Sequence, residues 1–310
     1  DRSKNQGGKI IVVMKEVHIS SLRKNRFVHG ILTADLIIKI CFIAIFMIIF
    51  VCIFTPWLAP YEPNAQKLLA RLRPPLPFDR SLLSFPLGTD ELGRDLLSRC
   101  LYGMRLTIGI ALIGSLISMI IGVTIGTISG FVGGVVDNIL MGLVDVQIAF
   151  PFTLIALLVV ALLGSDLFTF MCVVGVAGWE SYARVVRGHI LALNEEPFIH
   201  ASKVAGAGIG RIIILHMLPN AASSIIILWT MGFAGVVLLE SSLSFLGLGV
   251  QPPTATLGSI TGYGRNYMAS HPYMAAIPAS LIMSISLVML LLGDWLRDTL
   301  DVKLKKEEVK

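Results

Sequence analysis

Residues 106–130 read LTIGIALIGSLISMIIGVTIGTISG, a run without a charged side chain. A helix that crosses the hydrocarbon core of a bilayer needs about 20 mostly apolar residues, and this run is long enough. The whole chain has the same character, since 55% of its residues are hydrophobic, 15% are charged and its mean hydropathy is +0.80. This composition is typical of a helical membrane protein and excludes a soluble globular domain.

Six apolar stretches of this kind predict an all-α membrane protein built as a six-span helical bundle. They lie at residues 34–58, 106–130, 138–163, 167–189, 222–248 and 273–296. The fourth stretch is the weakest, because Trp179, Glu180, Tyr182, Arg184 and Arg187 cluster in its second half. In the second stretch, Gly122, Gly126 and Gly130 place a small residue at every fourth position, which predicts that a neighbouring helix approaches closely there.

The distribution of Lys and Arg predicts the orientation, since cytoplasmic segments are enriched in these residues. The tail at 1–33 is basic, so we place it in the cytoplasm, and six crossings return the basic tail at 302–310 to the same side. The membrane domain then covers 34–301, with an outer loop at 59–105 and a cytoplasmic loop at 190–220. The outer loop conflicts with the rule, because it holds six Arg and one Lys against five acidic residues.

One cytoplasmic segment is polar, punctuated by glycine and able to form a short helix. It reads EEPFIHASKVAG at 195–206 and continues as RIIILHMLPN at 211–220. A short helix, a glycine turn and an apolar exit with proline on one membrane face predict a docking element for a partner protein. The alternative is an ordinary connection, because any loop can contain Ala, Gly and Pro. The residues alone leave the two interpretations balanced.

The outer loop is rich in proline and ends in LGTDELGRD at 87–95. Thr89 or Asp90 can cap the helix that follows, with acidic residues in its first turn favoured by the helix dipole. We favour a structured loop held together by Arg–Asp pairs over direct contact with transported material.

Two acidic residues lie within apolar stretches and are candidates for a functional role. Glu240 lies late in the fifth stretch, and Asp145 lies near the inner end of the third. A carboxylate in hydrocarbon is costly, so it usually faces a bundle interior or a watery cavity. For Glu240, two interpretations have equal weight: a role in the pathway or in an inter-subunit contact, and a structural role with its hydrogen bonds satisfied inside the bundle. For Asp145, the structural role is favoured.

Several motifs between Pro86 and Asp301 occur together in a fixed order. They are LGTDELGRD with Leu97-Ser98-Arg99, Gly133-Gly134-x-x-Asp137, Tyr182–Arg187, Leu243–Gly249 with Gln251-Pro252-Pro253, and Gly293–Asp301. The set closely resembles the C-type permease subunits of dipeptide, oligopeptide and nickel importers of the ATP-binding-cassette (ABC) family. Two positions depart from the family pattern: Leu257 stands where Trp is usual, and Gly142 where Arg is frequent.

The segment at 195–220 resembles the EAA loop of ABC importer permeases, which docks on the ATPase. The matching residues are Ala201, Gly206, Leu218 and Pro219, whereas His200, Ser202 and His216 stand at the usual Glu, Ala and Ile positions. The resemblance implies that His200, Ala201, Ser202 and Gly206 contact the ATPase, with Glu196 as a candidate substitute acid.

The resemblance further implies a type I ABC importer permease in the bacterial inner membrane, with both termini in the cytoplasm. Its partners would be a homologous B-type permease, two ATPase subunits and an extracytoplasmic solute-binding protein, and movement of the docking helix would switch the path by alternating access. Short peptides are the expected solute, with nickel chelates, glutathione-like peptides, opines and sugars as alternatives. The chain lacks a Gly-x-x-x-x-Gly-Lys-Ser/Thr loop, so ATP and Mg²⁺ are expected in the partner ATPases.

Two other classes of protein compete with the importer and rank below it. A secondary transporter would use buried carboxylates near the midplane, and only Glu240 and Asp145 qualify. An intramembrane enzyme would need a catalytic motif, and the sequence has neither His-Glu-x-x-His nor Gly-x-Ser-x-Gly. We expect no catalytic residue, no bound metal or other cofactor, and no nucleic-acid partner.

Overall fold

The computed structural model describes residues 35–300, and the tails predicted at 1–33 and 302–310 lie outside this range. Each helix within it is numbered here in chain order: α1 (Leu36–Leu58), α2 (Leu96–Val132), α3 (Gly134–Ala149), α4 (Phe152–Leu163), α5 (Leu167–Gly175), α6 (Trp179–Asn194), α7 (Pro197–Val204), α8 (Ile209–Ile212), α9 (Leu218–Phe245), α10 (Leu257–Gly264) and α11 (Tyr273–Leu300). Short 3₁₀ turns at Leu68–Ala70 and Arg265–Tyr267 and a π-helical turn at Ile213–Met217 complete the regular elements. The predicted all-α class is confirmed.

Four helical stretches among the described residues are long and apolar enough to cross a membrane. They are α1, α2, α11 and the stretch Ile209–Phe245 that ends in α9. α3 and α4 make a fifth only as one bent span, because their axes meet at 85°. The bend falls at Phe150, whose backbone is extended (φ −105°, ψ 135°) since the following Pro151 disfavours the helical conformation.

The prediction that the fourth apolar stretch, at 167–189, forms one continuous span is wrong, because the chain leaves the helix in the middle of this stretch. α5 ends at Gly175 and α6 begins at Trp179, with Gly178 in the left-handed region at φ +80°. Glycine adopts this conformation without a steric penalty, so the two helices can change direction here. The carbonyl oxygen of Gly175 is satisfied across the bundle by the hydroxyl of Ser118, at 2.9 Å.

The glycine stripe of α2 packs against the backbone of α6, as predicted. A Cβ atom built on each of these glycines would lie closer than 3.0 Å to a carbonyl oxygen of α6. The pairs are Gly122 with Trp179, Gly126 with Ala183, and Gly130 with Arg187. Residue numbers rise together in the two helices, so α6 runs parallel to α2 and returns the chain to the C-terminal end of α2.

One end of the bundle, called the proximal end here, contains the turn between α2 and α3 together with the segment 195–217. The turn is made by Gly133 and Gly134, both at positive φ. The Nζ atom of Lys203 lies 5.7 Å from the ring centroid of Phe131, at the end of α2. The docking segment predicted from the sequence therefore packs beside the end of α2.

The other end, called the distal end, contains the loops at 59–95 and 246–256. The hydroxyl of Tyr273, the first residue of α11, donates to the carbonyl oxygens of Arg73 and Thr89 at 2.9 and 3.0 Å. This hydrogen bond links the loop at 59–95 to the helix that closes the bundle.

The cap of α2 differs from the prediction, although the predicted Arg–Asp pairing of the loop is confirmed. Asp95 is the capping residue, and its carboxylate accepts a hydrogen bond from the N–H of Ser98 at 2.8 Å. Asp90 instead holds the preceding turn, since it accepts from the N–H groups of Leu92 and Arg94 at 2.9 Å each and from the Nε of Arg94 at 2.6 Å. The helix starts too late for Thr89 or Asp90 to cap it.

Candidate functional site

The segment 195–217 links α6 to α9 through the short helix α7. Glu196 takes the N-cap position of α7, but its side chain is exposed and makes no capping hydrogen bond. Pro197 occupies the first helical position, where a missing N–H costs nothing. The carbonyl oxygen of Glu196 accepts from the N–H groups of Ile199 and His200, at 3.0 and 3.2 Å. Within residues 35–300 the Glu196 carboxylate has no ion-pair partner.

The glycine turn after α7 is set by backbone conformation. Gly206 has φ +77°. Its N–H donates to the carbonyl oxygen of Lys203 at 3.0 Å, and the N–H of Ala207 donates to the carbonyl oxygen of Ser202 at 3.1 Å. This pair of bonds is a Schellman motif, which closes a helix with a left-handed residue. A Cβ atom built on Gly206 would meet nothing within 4 Å. The space beside the turn is therefore open.

A small apolar cluster fixes one face of α7 to the rest of the bundle. Ile199 is fully buried, and so are Ile190 of α6, Ile212 and Met217. Phe131 at the end of α2 packs against this cluster. The cluster therefore joins α7 to α2, α6 and the start of α9.

The opposite face of the segment is open. His200 and Ala201 are exposed, and Ser202 is half-buried with its hydroxyl donating to the carbonyl oxygen of Phe198 at 2.8 Å. Val204 is 90% exposed. Four more large apolar side chains of the segment are exposed, namely Phe198, Ile209, Ile214 and Leu215. This face of the segment is therefore not covered by any other part of the described residues.

The exit from the segment is the π-helical turn Ile213–Met217, which runs directly into α9. Pro219 stands at the start of α9 and has no N–H to offer the carbonyl oxygen of Leu215, so the α-helical bonding pattern is interrupted there. The chain accommodates this interruption by forming a single π turn, in which hydrogen bonds join residues five positions apart, as happens within longer helices. Leu218 is half-buried and Pro219 exposed, so the two matching exit residues lie at the base of the open face.

Two ion pairs tie α6 to α3 beside this segment. The Nε and Nη2 atoms of Arg187 donate to the two carboxylate oxygens of Asp137 at 2.5 Å each, and the hydroxyl of Ser129 donates to the same carboxylate. The Nη2 of Arg184 donates to Asp145 at 2.8 Å, and both of these side chains are exposed. Asp145, a predicted pathway candidate, is therefore engaged in a pair within the chain.

Sequence reasoning missed both pairs although it singled out the motifs that contain them. The partners are 50 and 39 positions apart, beyond the reach of helical spacing rules. The only signal available in the sequence was a pair of opposite charges: a basic and an acidic residue at the ends of two stretches that were assigned to the same membrane face.

Glu240 lies in α9 and is fully buried. Its carboxylate accepts from the hydroxyls of Ser244 at 2.8 Å and Ser241 at 3.3 Å. The hydroxyls of Thr107 in α2 and Thr256 before α10 also bond to it. The geometry matches the internal hydrogen bond considered for this residue, and the carboxylate links α9 to α2 and α10. A pathway or inter-subunit role for Glu240 stays a prediction.

Family models match most of the chain. Residues 122–306 match the family described as "Binding-protein-dependent transport system inner membrane component". The chain belongs to this family of transport permeases. Residues 39–75 of the permease also match the "N-terminal TM domain of oligopeptide transport permease C". The resemblance to C-type permeases drawn from the sequence motifs is thereby confirmed.

The sequences of curated relatives align with most of the permease. It is 37% identical over 259 residues to the "Di/tripeptide transport system permease protein DppC" of Pseudomonas aeruginosa, covering 84% of this chain and 86% of that one. It is 37% identical over 264 residues to the "Dipeptide transport system permease protein DppC" of Haemophilus influenzae, covering 85% and 90%. It is 38% identical over 283 residues to the "Glutathione transport system permease protein GsiD" of Shigella flexneri, covering 91% and 89%.

A solved structure shares the fold. A chain of the MetNI methionine ABC transporter, in an inward-facing conformation, superposes with a TM-score of 0.50 at 20% identity. The match covers 64% of the permease and 94% of that chain. At this identity the likeness concerns the fold alone, and it agrees with the ABC importer fold implied by the motifs.

Proposed function

We propose that this permease is one of two membrane subunits of an ATP-driven importer for short peptides in the bacterial cytoplasmic membrane. The family assignment and the names of the relatives, which specify di- and tripeptides and glutathione, support the solute class. A homologous B-type permease completes the path, an extracytoplasmic solute-binding protein delivers the peptide, and two ATPase subunits bind ATP with Mg²⁺.

The proximal end faces the cytoplasm in this proposal. The path of α6 supports it, because this helix runs parallel to α2 and returns the chain to the end where α3 begins. With the basic tails on the same side, segment 195–217 is accessible to a cytoplasmic ATPase.

The observation that carries the proposal is the asymmetry of α7. Ile199 anchors one face in the proximal cluster, whereas the other face is open to a partner. Glu196, His200, Ala201, Ser202 and Gly206 supply the ATPase contact. Leu218 and Pro219 support it from the base of α9.

The same asymmetry provides a route from ATP to the membrane path. When the ATPases close around ATP, they displace α7, and the cluster around Ile199 carries the displacement to α6 and α2. The π-helical turn carries it to α9. The two permeases then switch between inward-facing and outward-facing states, each stabilised by different ligands of the assembly.

Two substitutions at Gly206 test the docking role. Gly206→Asn keeps a residue that tolerates positive φ, whereas Gly206→Trp adds a large side chain in the space that is open within this chain. We expect Gly206→Trp to abolish ATP-driven peptide uptake into proteoliposomes that contain the full complex, while the ATPases continue to hydrolyse ATP. Gly206→Asn is expected to retain about half of the coupling or more, because its backbone conformation is tolerated.

Gly208→Trp provides the matched control, since Gly208 also has open space around its Cβ position but lies at φ −65°. Normal uptake and normal stimulated hydrolysis in Gly206→Trp would refute docking at this turn. Equal losses in all three variants would show that the segment is sensitive to any change and would refute a specific contact at Gly206.

A further inference from the structure

The arginines of the distal end exceed what its ion pairs require. Arg94 pairs with Asp90 and Glu91. Arg105, three turns into α2, has no ion-pair partner among residues 35–300. An outer segment with surplus positive charge opposes the usual distribution across a membrane, so the surplus calls for another role.

A cavity of about 400 Å³ lies beside these arginines. Its walls are the first turns of α2, the loop residues Pro63 and Asn64, and residues 253–255 after α9. Cavities of this size hold small organic molecules. No acidic side chain of the described residues lines this one, although the carboxylate of Asp90 lies 3.5 Å from the Nε of the lining Arg99.

Three side chains of α2 line the cavity with hydrogen-bond donors. Arg99, Tyr102 and Arg105 follow one another at intervals of three residues, and all three line the cavity. The guanidinium of Arg99 is only loosely held, with its Nε 3.5 Å from Asp90 and its Nη1 3.4 Å from the carbonyl oxygen of Pro63.

Asp90 does not neutralise Arg99 fully, because the same carboxylate oxygen already accepts from Arg94 at 2.6 Å. Arg99 is also 96% buried, with a relative exposure of 4%. A buried guanidinium with weak partners gains most from an anion that supplies well-placed acceptor oxygens.

We propose that this cavity binds the carboxylate of a solute on its way into the membrane path. Arg105 and Arg99 donate to the carboxylate oxygens, and the hydroxyl of Tyr102 provides a further donor. The solute class rests on the proposed function, because peptides and glutathione carry a free carboxylate. The position of the cavity, between two loops of the face where a solute would arrive, agrees with this role.

Direct binding to the full complex, purified in detergent without the solute-binding protein, tests the proposal. The probes are radiolabelled dialanine and its C-terminal amide, which lacks the carboxylate. The wild type is expected to bind dialanine saturably and the amide at least about tenfold more weakly, as loss of a charge-assisted hydrogen bond implies. Arg105→Gln is expected to weaken dialanine binding about tenfold and leave the amide unchanged, and Arg105→Lys to retain part of the binding.

Arg80→Gln is the matched control, because it removes the same charge from the distal end, at an exposed residue that does not line the cavity. Equal dialanine binding in Arg105→Gln and wild type, or no saturable binding by wild type, would overturn the proposal. So would displacement of dialanine by phosphatidylglycerol from the wild type and not from Arg105→Gln, since the cavity would then be a lipid-phosphate site.

The failure of this proposal can be told apart from failure of the proposed function. A complex that imports dialanine, yet binds it equally well with and without Arg105, refutes the carboxylate site alone. A complex that assembles with no ATPase and imports no peptide refutes the importer itself, whatever happens at Arg105.

Discussion

The two ends of the bundle are stabilised in opposite ways. At the distal end, polar contacts hold the loop in place: Asp90 binds Arg94, Asp95 caps α2, and Tyr273 joins the loop to α11. At the proximal end, α7 is held by apolar contacts around Ile199 and leaves its other face uncovered. The distal loop is held mainly by polar contacts within this chain, whereas the proximal segment leaves one face of α7 exposed, where we propose that the ATPase docks.

The largest effect is expected where the distal end depends on one buried carboxylate. Asp90→Ala removes two backbone hydrogen bonds and leaves Arg94 and Arg99 without their shared partner. Breaking a buried ion pair from one side costs about 3–5 kcal/mol, so we expect a clear fall in the thermal unfolding temperature of the purified complex.

Asp79→Ala serves as the control for Asp90→Ala, because Asp79 is an exposed acid of the same loop. If the two variants unfold at the same temperature, the distal end does not depend on its internal polar contacts, and the contrast between the two ends is wrong.

A smaller effect on stability, with a larger one on coupling, is expected at the proximal cluster. Ile199→Ala leaves a cavity under α7, and such truncations of buried residues cost about 2–5 kcal/mol. Since we propose that the cluster also transmits movement from the ATPase, we expect uptake by the reconstituted complex to fall more steeply than ATP hydrolysis. Hydrogen exchange should increase in α7 and not in the loop at 59–95.

Val204→Ala is the matched variant on the opposite face of α7, where Val204 is 90% exposed. It should leave stability unchanged and reduce only the affinity for the ATPase. An identical pattern in Ile199→Ala and Val204→Ala would contradict the division of α7 into an anchored face and a docking face.

The smallest effects are expected for the two ion pairs of the proximal end, which differ in burial. The pair Arg187–Asp137 is bidentate and partly buried, whereas Arg184–Asp145 has side chains 55% and 69% exposed. Double-mutant cycles should give a coupling energy of about 1.5 kcal/mol or more for the first pair and about 0.5 kcal/mol or less for the second. Higher salt should weaken only the second coupling. Equal couplings would show that exposure does not separate the two pairs.

The helical core could be predicted from the sequence because its signals are local. Apolar runs specify α1, α2, α9 and α11, and the glycine spacing in α2 correctly indicates close helix packing. The short helix and glycine turn of the segment were predicted for the same reason, since α7 and the turn at Gly206 lie within a few residues of each other. The docking role of the segment stays a prediction.

The errors fall where a contact distant in sequence decides the outcome. The cap of α2 is Asp95 because Asp90 is committed to Arg94 and Arg99, which residue preferences at a helix start do not reveal. The fourth apolar stretch breaks at Gly178, where Ser118 of α2 supplies a hydrogen bond from across the bundle. Neither partner can be identified from the segment itself.

The glycine seam between α2 and α6 has a mechanical consequence. Side chains between two helices act as compliant spacers, because they can change rotamer and absorb a displacement. Along this seam, at Gly122, Gly126 and Gly130, backbone rests directly on backbone, and atoms in van der Waals contact with no rotamers between them compress very little. We therefore expect the two helices to move together as one rigid unit over this part of their length.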